Sequence, residues 1–271
     1  MGTKNRREFL AATIALGTAA VLPFTAESAK VPETGLPSLQ GRKVLFMYGG
    51  WEGHEPEKFR DYMVPWLKAQ GATVIESNKL GSYADKSLMD TIDLVVQLVT
   101  MSQLKKEEEK GLLDAIRING TGMAGWHGGM GDAFRNNPDY QYMTGGQFVI
   151  HPGGVIDYRV KIVNKKDAVT KGLKDFAMHS EQYYMHVDPN VKVLATTTFT
   201  GQHDAWIEGC VMPVTWKKMY GKGRVFYTSV GHNLDHIVSV PDALEMLKRG
   251  ITWASASKYL PPEKWINPVY R

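Results

Sequence analysis

Four short apolar runs separated by amphipathic or polar stretches constrain this chain more than anything else in its sequence. Lys43 to Tyr48 is apolar and ends in Gly49-Gly50, Thr73 to Glu76 is a second run, and Asp93 to Val99 a third. Gly122 to Trp126 is the fourth, and leads directly into His127-Gly128-Gly129. Between them, Glu57 to Gln70 carries Phe59, Met63, Trp66 and Leu67 at helical spacing. Lys105 to Asn119 sets Leu112, Leu113 and Ile116 on one face, with Gly71 and Gly120 closing the two helices. Strands that are apolar throughout and alternate with helices form parallel sheets covered on both faces. Right-handed crossovers then gather the carboxyl ends of all such strands at one edge, where ligands bind in folds of this class.

The texture changes between Gln147 and Phe226. Short β-like pieces follow one another: Phe148 to Ile150, Tyr158 to Val163, Gln182 to Val187, Val191 to Thr198 and Val211 to Trp216. They read as an antiparallel extension of the parallel core. Gly221-Lys222-Gly223-Arg224 reads as a tight hairpin, Arg224 to Val230 as a return to the core sheet, and Pro241 to Ser255 as a closing helix.

The N-terminus stands apart. Arg6-Arg7 precedes an apolar stretch from Ala11 to Phe24 that ends near Ala26, Ser28 and Ala29. This is the order of an export signal, and the paired arginines point to the twin-arginine route and a periplasmic or secreted bacterial protein. The expected organisation is therefore a signal over residues 1–29, a linker over 30–41, one domain over 42–256 and a proline-containing tail over 257–271. The mature chain has no apolar run long enough to span a membrane. A formal charge of +4 with scattered basic residues gives no nucleic-acid footprint. Cys210 is the only cysteine, so an internal disulfide and a multi-cysteine zinc site are both excluded; it reads as a buried core thiol.

Chemistry concentrates in histidines at strand ends. His54 follows the first strand, His127 the fourth, His151 follows Phe148-Val149-Ile150, and His232 follows Val230-Gly231. If the strands are parallel, His54, His127 and His232 meet at one edge. Trp126-His127-Gly128-Gly129 has the form of a strand-to-helix elbow, which in hydrolases carries a nucleophilic Ser or Cys; here imidazole replaces the nucleophile. Glu181 in His179-Ser180-Glu181-Gln182-Tyr183 offers a carboxylate as general base or metal ligand. Trp51 and Trp126 offer flat surfaces of the kind sugar rings pack on; Trp216 and Trp253 read as core. The expected site is therefore His127, His232 and Glu181 as catalytic groups or as ligands of a divalent metal such as zinc. His54, Trp51, Trp126, His151 and Tyr183 would contact substrate. Acid/base and metal chemistry remain equal alternatives.

These same segments resemble the ThuA-like trehalose-utilisation family: the first strand with Gly49-Gly50 and His54, Gly125-Trp126-His127, Gly146 to Pro152, and Glu181 with Tyr183. Pro213 to Trp216, Tyr220 to Tyr227, Gly231-His232 and Arg249 to Ala254 add to them. The resemblance runs over roughly residues 42 to 256. Ser180 stands where the family usually has Asp before the Glu. The resemblance implies a flavodoxin-like fold related to class I glutamine amidotransferases: a parallel sheet with helices on both faces and an antiparallel β extension. In that comparison His127 occupies the elbow cysteine's place and His232 that of the catalytic histidine, so thioester glutamine hydrolysis is not expected. It also implies a role with disaccharides or keto-glycosides. Three readings follow: a carbohydrate-processing enzyme, hydrolase or lyase; a non-catalytic periplasmic sugar-binding protein; or a structural or assembly protein with no pocket. The expected partner is a small carbohydrate; homo-oligomerisation is left open.

Overall fold

The computed structural model describes residues 35–264; the expected signal segment, residues 30–34 of the linker and residues 265–271 of the tail lie outside them. In chain order the elements are β1 (Lys43–Gly50), α1 (Pro56–Ala69), β2 (Thr73–Ser77), α2 (Lys86–Met89), β3 (Leu94–Thr100), α3 (Lys106–Arg117), β4 (Gly122–Trp126), α4 (His127–Gly131) and α5 (Pro138–Thr144). Then come β5 (Gly146–Ile150), β6 (Val155–Ile162), β7 (Phe176–Glu181), β8 (Tyr184–Val187), β9 (Lys192–Thr198), β10 (Val211–Tyr220), β11 (Gly223–Thr228), α6 (Leu234–Val238) and α7 (Pro241–Ala254).

Among the described residues the main sheet runs β2-β1-β3-β4-β11-β10-β9-β6-β7. The first five strands are parallel; β10, β9, β6 and β7 continue the sheet antiparallel. The parallel part has the 2-1-3-4-5 order of flavodoxin-like sheets. The cause is visible in the side chains. Val44, Phe46, Leu94, Val96, Ala124 and Phe226 face one apolar core, with Phe59, Met63 and Leu67 of α1 and Met246, Leu247 and Ile251 of α7. The intervening Leu45, Met47, Val95, Met123, Val225 and Tyr227 face a second core with Leu112, Leu113 and Ile116 of α3. Apolar residues at every position, split alternately between two layers, are what a strand buried on both faces requires.

The structure departs from expectation in one instructive place. Gln182 to Val187 is not one strand. β7 ends at Glu181 and β8 begins at Tyr184, because the chain leaves the main sheet there. Gln182 Nε2 donates to Thr197 Oγ1 at 2.7 Å, Tyr183 turns into the second core, and β8 pairs with β5 in a separate two-stranded ribbon. Cys210 is only partly buried against the second core, not enclosed in it. The Tyr220–Gly223 hairpin and the core positions of Trp216 and Trp253 are as the sequence suggests. No helix among the described residues is long and apolar enough to cross a membrane.

A buried ion pair fastens the extension. Lys217 on β10 and Asp167 in the β6–β7 connection are each 2% exposed, with Nζ 2.7 Å from Oδ1. Asp167 also accepts from Lys192 Nζ at 2.8 Å and from the Val169 amide at 3.0 Å. Burial pushes the Lys217 amine below its ordinary value, and Asp167 only partly restores it. Removing one partner of such a pair leaves the other charge uncompensated and costs about 3–5 kcal/mol. Asp167→Ala is accordingly expected to lower unfolding free energy in urea by about that amount. A loss below about 1 kcal/mol would show that the Lys217 ammonium finds another partner or water.

Candidate metal centre at the carboxyl edge of the sheet

Three loops leave the carboxyl ends of β1, β4 and β11, and each delivers one imidazole. His54 closes a short turn after β1. His127 is the first residue after β4 and has φ of 47°, a left-handed conformation that costs a residue with a Cβ about 1 kcal/mol or more. That is the backbone signature of an elbow, which aims the side chain off the end of the sheet. The elbow is also tight: a Cβ on Gly128 would lie 2.2 Å from His54 Cε1, so only glycine lets the two histidine loops meet. His232 follows Gly231, whose φ is 101°. The carboxylate comes from elsewhere, at the end of β7 in the antiparallel extension.

Glu181 Oε2 is the hub. It lies 3.0 Å from His127 Nε2 and 3.1 Å from His232 Nδ1, while Oε1 is 3.6 Å from His151 Nε2. The His54 ring centroid is 4.7 Å from that of His127 and 5.1 Å from that of His232. One ligand atom from each of His54, His127, Glu181 and His232 falls within 4.8 Å of the other three. This His/Glu cluster could hold a metal ion. A tetrahedral zinc site with bonds of about 2.0–2.1 Å has ligand atoms about 3.3 Å apart. The two contacts at Glu181 are already near that spacing, and the widest must close by about 1.5 Å.

The hydrogen-bond chemistry favours a cation at the hub. The Ser229 carbonyl, which can only accept, is 2.7 Å from His127 Nδ1, so Nδ1 carries the hydrogen. Burial pushes the His127 imidazole below its ordinary pKa, against the opposing pull of Glu181. In the neutral ring Nε2 therefore presents a lone pair to the Glu181 carboxylate. His232 Nδ1 is buried near the same oxygen but lies off the hydrogen-bonding direction and has no hydrogen-bond partner. A divalent cation could take both nitrogens and the carboxylate oxygen as ligands. Supporting contacts orient the rings as they do around metals. His54 Nδ1 is 2.8 Å from Thr100 Oγ1, which leaves Nε2 free. The Glu55 carboxylate, through Oε2, accepts the Leu234 amide at 3.0 Å and ties the His232 loop to α1.

The other expected site residues divide. Trp51 stays 45% exposed at the lip, its ring 4.7 Å from His54 and 6.2 Å from His232. Tyr183 is buried and packs its ring 4.0 Å from that of His127, so it is a wall behind the imidazole. His151 stands outside the cluster, over Phe148. Trp126 is not at the site: it is fully buried, with rings of Phe46 and Phe59 at 6.5 and 5.2 Å. As the last residue of β4 it alternates to the face opposite the elbow. His54 lies in the cluster itself, deeper than a substrate contact. Thr100 and Glu55 carry no signal of this role in the sequence beyond the place of Thr100 at the end of a parallel strand beside His54. Ser229, which reads in the sequence as too deep in a strand to be a nucleophile, acts through its carbonyl.

The family model described as "ThuA: Trehalose utilisation" matches residues 43–254. The chain belongs to the ThuA family. Two ThuA-like solved structures share its fold. One, from Bacteroides uniformis, is 17% identical with a TM-score of 0.67, covering 80% of this chain and 92% of its own. The other, from Parabacteroides merdae, is 19% identical with a TM-score of 0.64, covering 83% and 93%. No curated protein matches the sequence. In this ThuA-family chain the histidines sit at strand carboxyl ends, on the edge that flavodoxin-like sheets use for ligands.

Burial and neighbouring imidazoles push His54 down to about 2. Its unfolded counterpart takes up a proton near pH 6.5, so stability is present above that value and is lost as pH falls toward the folded value. Burial alone would raise Glu181, but the close imidazoles of His127 and His232 outweigh it and hold the carboxyl below its ordinary 4.5. Its contribution is likewise lost on acidification. In chelator-treated protein the melting temperature should fall steadily as pH drops below about 6.5, and His54→Gln should flatten the upper part of that curve. A flat wild-type profile between about pH 7 and 5 would contradict a buried neutral His54.

Proposed function

We propose that this chain is an exported carbohydrate-processing protein of the ThuA type, which holds a divalent cation such as zinc with His54, His127, His232 and Glu181 and works on a glycoside or keto-glycoside. The observation that carries the reading is the hub itself: a buried carboxylate oxygen with two imidazole nitrogens at 3.0 and 3.1 Å and a third imidazole beside them, their ligand atoms within 4.8 Å of one another. The family's trehalose-utilisation description supports a sugar ligand, as does the half-exposed indole of Trp51 at the lip, suited to the apolar face of a pyranose. Export is inferred from Arg6-Arg7 and the apolar stretch behind them.

The depressed His54 makes it a poor proton donor near neutrality, which favours a ligand role over general acid work. With one of the four groups off the metal or a fifth position open, a divalent cation bound there would act as a Lewis acid on a sugar carbonyl or hydroxyl oxygen. The residues of this chain then have separate tasks. Ser229 and Thr100 fix the ring orientations of His127 and His54, Tyr183 excludes water behind His127, and Trp51 positions the ring. His151, near the second carboxylate oxygen, is placed to accept or donate a proton at substrate.

Protein purified without tags or chelators is expected to contain about one zinc per chain by elemental analysis. His127→Ala and Glu181→Gln should abolish stoichiometric binding, and Thr100→Val should weaken it about 10–100-fold, as loss of a supporting contact does. Metal-free protein that turns over a 3-keto-glycoside at the full rate would overturn the cation role. A second reading, a sugar-binding protein without catalysis, has its own support in the missing elbow nucleophile. Intact sugar binding with no turnover of glycosides or keto-glycosides by the zinc-loaded protein would favour it.

A further inference from the structure

A large cavity lies beside the histidine cluster and not over it, with none of the four cluster residues in its lining. Its volume is about 800 Å³, within the range of about 300–1,000 Å³ that encloses a small-molecule ligand. It exists because two strands part. β6 and β9 pair only at Lys161–Thr196 and Ile162–Ala195. Beyond that point Gln182 and Thr197 bridge the gap, with Gln182 Nε2 donating to Thr197 Oγ1 at 2.7 Å and Thr197 Oγ1 donating to the Arg159 carbonyl at 2.8 Å. The opening is a trough along the outer face of β6.

The trough and Glu181 share a face of the sheet. On β6, Tyr158, Val160 and Ile162 enter the first core, as do Phe176 and Met178 on β7. Side chains alternate along a strand, so Val155, Asp157, Arg159 and Lys161 point the other way, with Ala177, His179 and Glu181 across from them. The register confirms it: Val155 opposes Glu181, Asp157 opposes His179 and Arg159 opposes Ala177. The carboxylate hub is thus the last outward residue of the strand that borders the trough. From Val155 to Lys161 the trough follows about 20 Å of strand. Its far wall is the β9–β10 connection, where His203 packs so closely on Gly153 that a Cβ there would lie 2.4 Å from His203 Nε2. Gly153 belongs to the loop that carries His151, so one continuous wall runs from the cluster to the trough.

The chemistry of the lining is selective. Asp157 and Asp175 balance Arg159 and Lys161, and the rest of the lining includes Thr196, Gln182 and Gln202. Dense hydrogen-bonding groups without net charge suit a neutral polyhydroxylated ligand and offer nothing to a polyanion. Trp206, three residues beyond His203 in the same connection and outside the lining itself, is 83% exposed. An indole so exposed is unusual and is a ready platform for a sugar ring.

We propose that this trough binds the trailing rings of a neutral oligosaccharide whose terminal ring reaches Glu181, so that the substrate class is a glycan of several rings. The proposal rests on the reading of the cluster as a sugar-processing site. The test uses the full chain on a printed array of neutral and acidic glycans of one to six rings, followed by calorimetric titration of the best neutral series. Neutral glycans of three or more rings should bind at least tenfold more tightly than the matching one-ring glycoside. In Asp157→Ala/Arg159→Ala and in Trp206→Ala the affinity ratio between long and one-ring glycans should fall about tenfold. Equal affinity of wild type for one-ring and longer glycans overturns the trough and leaves the Glu181 reading standing. A preference for acidic glycans overturns the neutral class. No glycan bound at any length overturns both. Unchanged melting temperatures of the two variants, whose side chains are exposed, show that any loss is one of binding.

Discussion

The contact between the Glu181 carboxylate and two imidazole nitrogens is the constraint around which the rest is arranged. A carboxylate taken from water must meet compensating charge or several donors. Glu181 meets nitrogens on two loops, one after β4 and one after β11. Those loops in turn are fixed by Ser229, Glu55 and a glycine-lined elbow. Each of these features is locally unfavourable: a left-handed histidine, a crowded elbow, imidazoles held close to one another. Their joint presence is intelligible as the cost of gathering ligand atoms in one place, which is where strained backbone usually accumulates.

The parallel core was legible because its physics is local. A strand buried on both faces must be apolar throughout, and β3, with every residue buried, announces itself in Leu94 to Val99. The histidines at the ends of β1, β4 and β11 followed from that reading, since right-handed crossovers leave no choice of edge. Trp126 was misplaced by its proximity to the elbow. Alternation puts residue 126 on the side opposite residue 127, and Phe46 and Phe59 had already made that side a core.

What stayed hidden depends on contacts distant in sequence. β7 was obscured because only Phe176 and Met178 carry its apolar signal, and the break at Gln182–Tyr183 follows from a hydrogen bond to Thr197 that no local pattern encodes. Thr100 and Glu55 were invisible for the same reason: an orienting contact has no periodicity. Glu181 was found for its chemistry and its family resemblance, while its partners were found for their strands. Only the fold shows that all of them meet.

The origin of the carboxylate has one more consequence. The imidazoles belong to the parallel core, but Glu181 belongs to the edge strand of the antiparallel extension, 54 residues from His127, and the carbonyl that orients His127 is 102 residues from it. Each such contact closes a long loop, whose entropy must be offset before the contact can form. His54, His127 and His232 are farther from one another along the chain than Glu181 is from His127, so neither the imidazoles nor their counter-charge are gathered before the sheet is assembled. An ion that required all four groups would be retained only by the finished molecule, and occupancy of the centre would then read out completed folding.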